Sequence, residues 1–194
     1  MSFDAILTIA LDIAFFAIFG FTLVDYLRHR ERVRLVIMLV FGALLHDIGK
    51  IGVADAILTK PGPLTAQEWH EMRQHPLIGE RICEPLANAS EFAPIIRGHH
   101  ERWDGQGYPD GLRGEHIPFG ARLVGLVDAY DAMIHDRPYR AARSIDEAID
   151  EISRLAGAQF DPGLVRIFVD IAERDIDAQR LLGGRALEAL RTAV

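Results

Sequence analysis

The stretch Leu44-Leu45-His46-Asp47-Ile48-Gly49-Lys50 places an imidazole and a carboxylate next to each other inside an otherwise apolar segment. Burying these two groups without partners would cost roughly several kcal/mol. A metal ion is the simplest partner for both, because imidazole nitrogen and carboxylate oxygen are ordinary metal ligands. The pair therefore predicts a metal site, provided that the rest of the chain supplies further ligands.

Four more candidate ligands follow along the chain. His75 precedes a proline that suits the first turn of a helix, His99 and His100 are adjacent, and Asp128 lies within an apolar helical segment. Each alone has an ordinary explanation, because a lone histidine on an apolar face is usually a packed core residue and a lone aspartate is usually a cap or a surface group. Together, six such residues on four or more helices can converge in the core of a bundle.

The types of ligand indicate which metals fit. Imidazole and carboxylate without thiolate favour iron, manganese, zinc or cobalt over a structural zinc finger. If Asp47 bridges two ions, such a pair activates water and holds both the attacking and the leaving oxygen of a phosphoester. Lys50 follows Asp47 by three residues and shares its face on a helix, where it could hold a phosphate oxygen. The alternative for Lys50 is an exposed lysine that ends the helix.

Two downstream segments are candidates for substrate binding. The glycine-rich residues 102–120 follow the histidine pair, and an ordered loop of this length is usually functional. Trp103 and Tyr108 in this loop either stack on a nucleobase or pack the loop against the helices. Arg137 and Arg140, near a predicted helix end, either clamp phosphates or lie on the solvated surface.

The remaining pattern predicts helices and no strand, so the fold class is all-α. Thr65 with Glu68, and Ser144 with Glu147, are capping boxes that mark helix starts. Asp161-Pro162 marks another start, and Gly157 is a plausible stop. The predicted helices cover residues 65–75, 76–87, 91–101, 121–135, 144–157 and 161–174.

The N-terminal region contains two apolar runs. Residues 5–24 carry one charge, Asp12, and about 20 apolar residues can cross a bilayer as a helix. The basic cluster at 28–34 would then stay on the cytoplasmic side. The alternative is a buried core helix, which Asp12 near the middle of the run supports. Residues 35–45 are too short to span a membrane and are predicted to be core of the following domain.

Size and charge restrict the partners further. The 194 residues suffice for one domain with a real core and a short extra element. A net charge of -7 argues against a nucleic-acid polymer, which needs a basic face, but it allows a small anion held by metals and arginines. The single cysteine, Cys83, excludes an internal disulfide and a cysteine-based zinc site.

From Leu44 to about Val169 the chain resembles the HD-GYP domains, a branch of the HD phosphohydrolase superfamily. The resemblance implies an HD-type helical bundle at residues 35–175. The residue pattern predicts a hydrophobic N-terminal helix and basic segment at 1–34 before it and a helical tail at 176–194 after it. The motifs that carry it, in order, are His46-Asp47-Ile48-Gly49-Lys50, Lys60-Pro61-Gly62, His75-Pro76, His99-His100-Glu101-Arg102-Trp103-Asp104-Gly105, Gly107-Tyr108-Pro109, Ile117-Pro118, Asp136-Arg137-Pro138-Tyr139-Arg140 and Phe160-Asp161-Pro162.

The resemblance also implies an activity, the hydrolysis of the bacterial messenger cyclic di-GMP to pGpG and GMP with two divalent metal ions, most often iron or manganese. Asp47 and Lys50 would be the catalytic residues, with Lys50 on the scissile phosphate. Gly107, Tyr108 and Pro109 would shape the pocket, and Arg137 and Arg140 would lie near the phosphates. The implied metal ligands are His46, Asp47, His75, His99, His100 and Asp128.

The chain departs from this family upstream of His46. The family has another metal-binding histidine on an earlier helix, and the corresponding positions here are apolar. His29 stands in a similar local pattern but lies only 17 residues before His46, which is about 25 Å along one continuous helix. Either a sharp turn near Gly42 brings His29 back to the site, or this ligand is missing.

Three functions therefore stay open. The first is a metal-dependent cyclic di-GMP phosphodiesterase. The second is a catalytically impaired signalling module that binds cyclic di-GMP, and the third is an HD-superfamily phosphohydrolase of another nucleotide, against which the Gly-Tyr-Pro loop weighs. We expect cyclic di-GMP as the small-molecule partner, a cytoplasmic catalytic domain anchored to the inner membrane by residues 5–24, and a homodimer, without a nucleic-acid polymer.

Overall fold

The computed structural model describes residues 28–136 and 141–174. The chain divides into two compact units, Met1–Val40 and Phe41–Val194. The described part of the first unit, 28–40, is helical, and the second unit carries the residues of the candidate site. The predicted hydrophobic helix at 5–24, Arg137 with Arg140, and the predicted tail at 176–194 lie outside the described residues.

The described residues form helices and loops without a strand, which confirms the all-α prediction; the one β-type contact among them is an isolated bridge between Ala156 and Phe160. Short 3-10 helices cover Ile48–Gly52 and Gly114–His116. The α-helices of the described chain, in order, are α1 (28–45), α2 (Asp55–Leu58), α3 (Ala66–Met72), α4 (His75–Cys83), α5 (Ala89–Gly98), α6 (Phe119–Ile134), α7 (Ile145–Arg154) and α8 (162–174).

Local capping sets the helix starts that the sequence predicts. The Thr65 hydroxyl accepts the Glu68 amide hydrogen, and the Glu68 carboxylate accepts the Thr65 amide hydrogen at 2.6 Å. Ser144 and Glu147 make the same reciprocal pair at the start of α7. Both capping boxes are confirmed. Helix α5 ends at Gly98, earlier than predicted, so that the two histidines follow its last turn.

Helices α4, α5 and α6 pack in sequence around a core in which Ile96 is completely buried, and α4 also packs on the 3-10 helix Ile48–Gly52. Two glycines permit close backbone approaches there. A Cβ at Gly49 would lie 1.8 Å from the His75 carbonyl oxygen, and one at Gly125 would lie 2.5 Å from the His99 carbonyl oxygen. Only glycine therefore allows the segments that carry the histidines to come this close.

The prediction that residues 35–45 are core is wrong for most of their side chains. Val36 is 58% exposed and Leu44 is 76% exposed, while Gly42 is buried against Ile95 and Phe41 stacks on Phe92. The helix buries only a narrow stripe, because Gly42 makes the close contact with Ile95 while the larger apolar side chains of the segment are exposed. The helical segment Arg28–Gly52, which comprises α1 and the 3-10 helix after it, is the one such segment in the described chain that is long and apolar enough to cross a membrane. The core helices of soluble proteins can share this property.

The helix that precedes His46 in the chain is α1. Residues 28–45 form one helix without a break at Gly42. The predicted turn near Gly42 is therefore absent from this described segment.

We expect Ile96→Ala to lower the free energy of unfolding by about 2 to 5 kcal/mol, because it removes a buried side chain that packs on Gly79 between α4 and α5. Urea denaturation of the metal-free protein measures this change. Ile82→Ala, at a 42% exposed position of α4, is the matched control and should cost much less. Equal losses in the two variants would contradict the assigned core.

Candidate metal centre and substrate cavity

Four predicted ligands meet at one point. Asp47, His75, His99 and His100 each offer a ligand atom, and these atoms lie within 4.8 Å of one another. They come from three places, namely the residues after α1, the first residue of α4 and the residues after α5. His75 and His99 are buried, so the cluster lies at the base of the site.

Three of the imidazoles are held in a defined orientation by backbone carbonyls. In each, Nδ1 lies 2.7 Å from the carbonyl oxygen of the residue three positions earlier. Because a carbonyl only accepts, Nδ1 carries the proton and Nε2 keeps a free lone pair. Such bonds fix the tautomer and the ring of metal-binding histidines. The three pairs are His46 with Ala43, His75 with Met72, and His99 with Ile96.

The two carboxylate oxygens of Asp47 face different groups. Oδ1 lies 3.4 Å from Nε2 of His75 and 4.0 Å from Nε2 of His99. Oδ2 lies 3.5 Å from Nε2 of His46 and 2.5 Å from Nζ of Lys50. A carboxylate with imidazoles near both oxygens has the geometry that a bridge between two cations requires.

Asp128 completes the side of the site on which His46 lies. It is half-buried near the middle of α6, and its Oδ1 lies 3.8 Å from Nε2 of His46. The structure thus brings all six predicted ligands together, with His46 and Asp128 near Oδ2 of Asp47 and the other histidines in the cluster that includes Oδ1.

The protonation states suit a divalent cation. Burial lowers the pKa of His75, that of His99 to about 4 and that of His100 to about 3, so these rings are neutral at pH 7. The neighbouring Asp128 carboxylate raises the pKa of His46, and His46 in turn lowers the pKa of Asp128. Burial acts to raise the pKa of Asp47, but the adjacent Lys50 outweighs it and the net direction is down. The ionised carboxylates and the neutral rings of His75, His99 and His100 are donors that a metal needs, whereas His46 would lose the proton that Asp128 favours when it binds a cation.

The Gly-Tyr-Pro loop folds back onto the second histidine of the pair. A Cβ at Gly107 would lie within 2.6 Å of the backbone of His100, Glu101 and Arg102, so a glycine is required there. The Tyr108 amide donates to the His100 carbonyl oxygen at 3.3 Å. The Tyr108 ring stacks on the His100 ring with centroids 4.8 Å apart. Of the two alternatives for Tyr108, the structure therefore shows packing of the loop.

Glu101 anchors the far end of the same loop. Its carboxylate is buried and accepts three backbone N–H groups, from Asp110 at 2.7 Å, Gly111 at 3.1 Å and Leu112 at 3.0 Å. Glu101 is a loop anchor that the sequence pattern does not predict. The available signal was an acidic residue next to a buried histidine pair and before a glycine-rich loop, since such a carboxylate needs several donors.

A cavity of about 540 Å³ opens beside the cluster. His99, His100 and Asp128 form one part of its wall and Tyr108 another, so it gives access to the candidate metal centre. Trp103 also lines it, with the Arg122 guanidinium 5.8 Å from its ring centroid. The arginines that line this cavity in the described chain are Arg73, Arg102 and Arg122.

Sequence comparison identifies related proteins. Residues 29–164 match a family model described as an HD domain. A cyclic di-GMP phosphodiesterase from Thermotoga maritima is 43% identical over 144 residues, which cover 72% of this chain and 39% of that protein. A cyclic di-GMP phosphodiesterase response regulator from Xanthomonas campestris pv. campestris is 44% identical over 137 residues, which cover 70% of this chain and 35% of that protein.

A solved structure shares the fold. The cyclic GMP-AMP specific phosphodiesterase V-cGAP3 from Vibrio cholerae matches with a TM-score of 0.53 and 23% sequence identity, over 76% of this chain and 39% of that one. At this identity the likeness concerns the fold alone. The chain spans less than half the length of these relatives.

The buried histidines predict how stability depends on pH. Unfolding returns His99 and His100 from pKa values of about 4 and 3 to the ordinary 6.5, so the unfolded chain takes up protons that the folded chain excludes. Stability is therefore fully present above about pH 6.5 and is lost as the pH falls toward 4. We expect the melting temperature of the metal-free protein to drop by several degrees between pH 7 and 5.

His100→Gln should flatten this pH profile, because it removes one of the groups responsible. His135→Gln, at an exposed position, is the control and should keep the wild-type profile. Identical slopes for wild type and His100→Gln would contradict the assignment.

Proposed function

This chain belongs to the HD domain family, and we propose that it is a metal-dependent phosphodiesterase that hydrolyses cyclic di-GMP to pGpG and GMP. The observation that carries the proposal is the placement of the Asp47 carboxylate, with different imidazoles near its two oxygens. The relatives from Thermotoga maritima and Xanthomonas campestris are cyclic di-GMP phosphodiesterases, which supports the substrate.

The proposed site holds two divalent ions, iron or manganese, as the mixture of imidazole and carboxylate favours. Asp47 would bridge them. Divalent ions in such a site acidify water for attack on phosphorus and neutralise the charge that develops on a phosphodiester. One ion would take His75, His99 and His100, and the other would take His46 and Asp128.

The protein residues have separate roles in this proposal. Asp47 would fix the distance between the two metal ions. The hydrogen bonds from Nδ1 of His46, His75 and His99 to backbone carbonyls would keep their Nε2 atoms directed at the ions. Lys50, whose side chain is 37% exposed beside Asp47, would bind a non-bridging oxygen of the scissile phosphate and balance its charge. Gly107, Tyr108 and Pro109 would shape the cavity and keep His100 in place.

The substrate is a small anion in this proposal. The cavity of about 540 Å³ falls within the range of small-molecule sites. Arg137 and Arg140 would bind its phosphates, as the resemblance implies. A related cyclic dinucleotide is the second candidate substrate, because a 3'3'-cGAMP-specific phosphodiesterase from Vibrio cholerae is 42% identical over 120 residues, which cover 62% of this chain and 26% of that protein.

The impaired signalling module has its own support. The ion near Oδ2 of Asp47 would have His46, Asp47 and Asp128 as protein ligands in the described chain, one fewer than the other ion. The upstream histidine of the family would have added one here, and the corresponding positions of this chain are apolar. Weak binding of this ion would lower turnover while leaving nucleotide binding intact.

The location and the assembly are proposed from the N-terminal sequence. Residues 5–24 would anchor the chain in the inner membrane, with the basic cluster at 28–34 and the catalytic domain in the cytoplasm. We also propose a homodimer, because α1 exposes the apolar side chains Val36, Val40 and Leu44, which a second copy of the chain would cover.

Activity assays test the proposed function directly. Protein loaded anaerobically with Fe(II) or Mn(II) should cleave cyclic di-GMP, and Asp47→Asn should lower kcat by about 100-fold or more, because an amide does not bridge two cations. Asp131→Asn is the matched control and should retain activity, because the exposed Asp131 carboxylate lies on α6 one turn after Asp128, outside the candidate metal site.

The other outcomes separate the alternatives. Wild-type protein that binds cyclic di-GMP without cleaving it would favour the signalling module. Faster cleavage of another cyclic dinucleotide would show that this dinucleotide, and not cyclic di-GMP, is the preferred substrate. Full activity in Asp47→Asn would refute the bridging role of Asp47.

A further inference from the structure

We propose that Arg73 is a substrate-binding residue, which contacts the phosphate of the cyclic dinucleotide that is not being cleaved. This inference rests on the proposed function, because it assumes a substrate with two phosphates. Neither the predicted ligands nor the predicted phosphate-binding arginines included Arg73.

Arg73 lies on the wall of the cavity next to the metal cluster. It caps the C-terminal end of α3, two residues before His75. Its guanidinium carbon lies 5.3 Å from the Tyr108 ring centroid and 5.7 Å from the Trp69 ring centroid. Contacts with two aromatic rings restrict the orientation of the guanidinium, which lowers the entropy lost when it binds an anion.

Arg73 differs from the other arginines of this cavity in its partners. Arg102 binds the Asp104 carboxylate through Nε at 3.1 Å and Nη2 at 2.8 Å. Arg122 forms an ion pair with Asp161. Among the described residues, no carboxylate lies within ion-pair distance of Arg73, whose side chain is exposed. Its charge is therefore available for an anion that enters the cavity.

The position of Arg73 indicates which anion this is. The Tyr108 ring stacks on His100 with a centroid separation of 4.8 Å, and the Arg73 guanidinium carbon lies 5.3 Å from the same Tyr108 centroid. The scissile phosphate must sit at the cluster, near Lys50. A guanidinium that contacts the same ring as His100 and lines the same cavity is placed for a second anionic group of the same ligand. A cyclic dinucleotide carries a second phosphate. Guanidinium binds phosphate oxygens through two parallel N–H groups.

The test compares two substrates in metal-loaded protein. Cyclic di-GMP has two phosphates, whereas bis(4-nitrophenyl) phosphate has one phosphodiester and no second anion. We expect Arg73→Ala to raise KM for cyclic di-GMP by about 10- to 100-fold, the range for a lost charged hydrogen bond, with kcat within about twofold. Kinetics with bis(4-nitrophenyl) phosphate should not change, and Arg73→Lys should recover most of the lost affinity.

Arg81→Ala is the matched control, since Arg81 is an exposed arginine of α4 that does not line the cavity. Circular dichroism melting of each variant separates folding from binding. Equal KM values for wild type and Arg73→Ala would overturn the proposal, as would a matching loss with both substrates.

Binding of fluorescently labelled cyclic di-GMP, measured without turnover, separates this proposal from the proposed function. Wild-type binding that Arg73→Ala weakens supports the role of Arg73 even if hydrolysis is slow. Wild-type binding that the variant leaves unchanged overturns this proposal alone. If the wild type neither binds nor cleaves cyclic di-GMP, the proposed function fails and this proposal fails with it.

Discussion

The site depends on the close approach of the Asp47 carboxylate to imidazoles from three parts of the chain. That approach is possible because Gly49 packs directly on the His75 carbonyl, where a Cβ would lie 1.8 Å from the oxygen. A side chain at this position would push the His46-Asp47 segment away from α4. The backbone contact thus sets the distance of 3.4 Å between Asp47 Oδ1 and Nε2 of His75, on which any shared metal position depends.

The loop that shapes the cavity is attached to the same residues. Tyr108 stacks on His100, Gly107 lies against the backbone that follows it, and the Glu101 carboxylate binds the backbone at 110–112. A ligand histidine and a wall of the cavity are therefore parts of one packed unit. A substrate that contacts this loop would contact a surface whose position is fixed by the candidate metal ligands, and such a fixed surface gives a site its precision.

Much of the fold and the clustering of the candidate ligands could be predicted because their signals are local or chemically unusual. The capping boxes at Thr65 and Ser144 need only four residues, and His46-Asp47 stands out in an apolar run. The loop anchor Glu101 and the free guanidinium of Arg73 depend on contacts that sequence spacing does not reveal. The burial of 35–45 was predicted wrongly for the same reason, since an apolar run does not say which of its faces is covered.

The most direct test of the account is anomalous X-ray diffraction from crystals of the Mn(II)-loaded protein, because it locates ions relative to the Asp47 carboxylate. The account predicts two anomalous peaks, one beside each oxygen of Asp47, with the higher occupancy on the side of His75, His99 and His100. A single peak in fully loaded crystals, or peaks that do not contact Asp47, would contradict it.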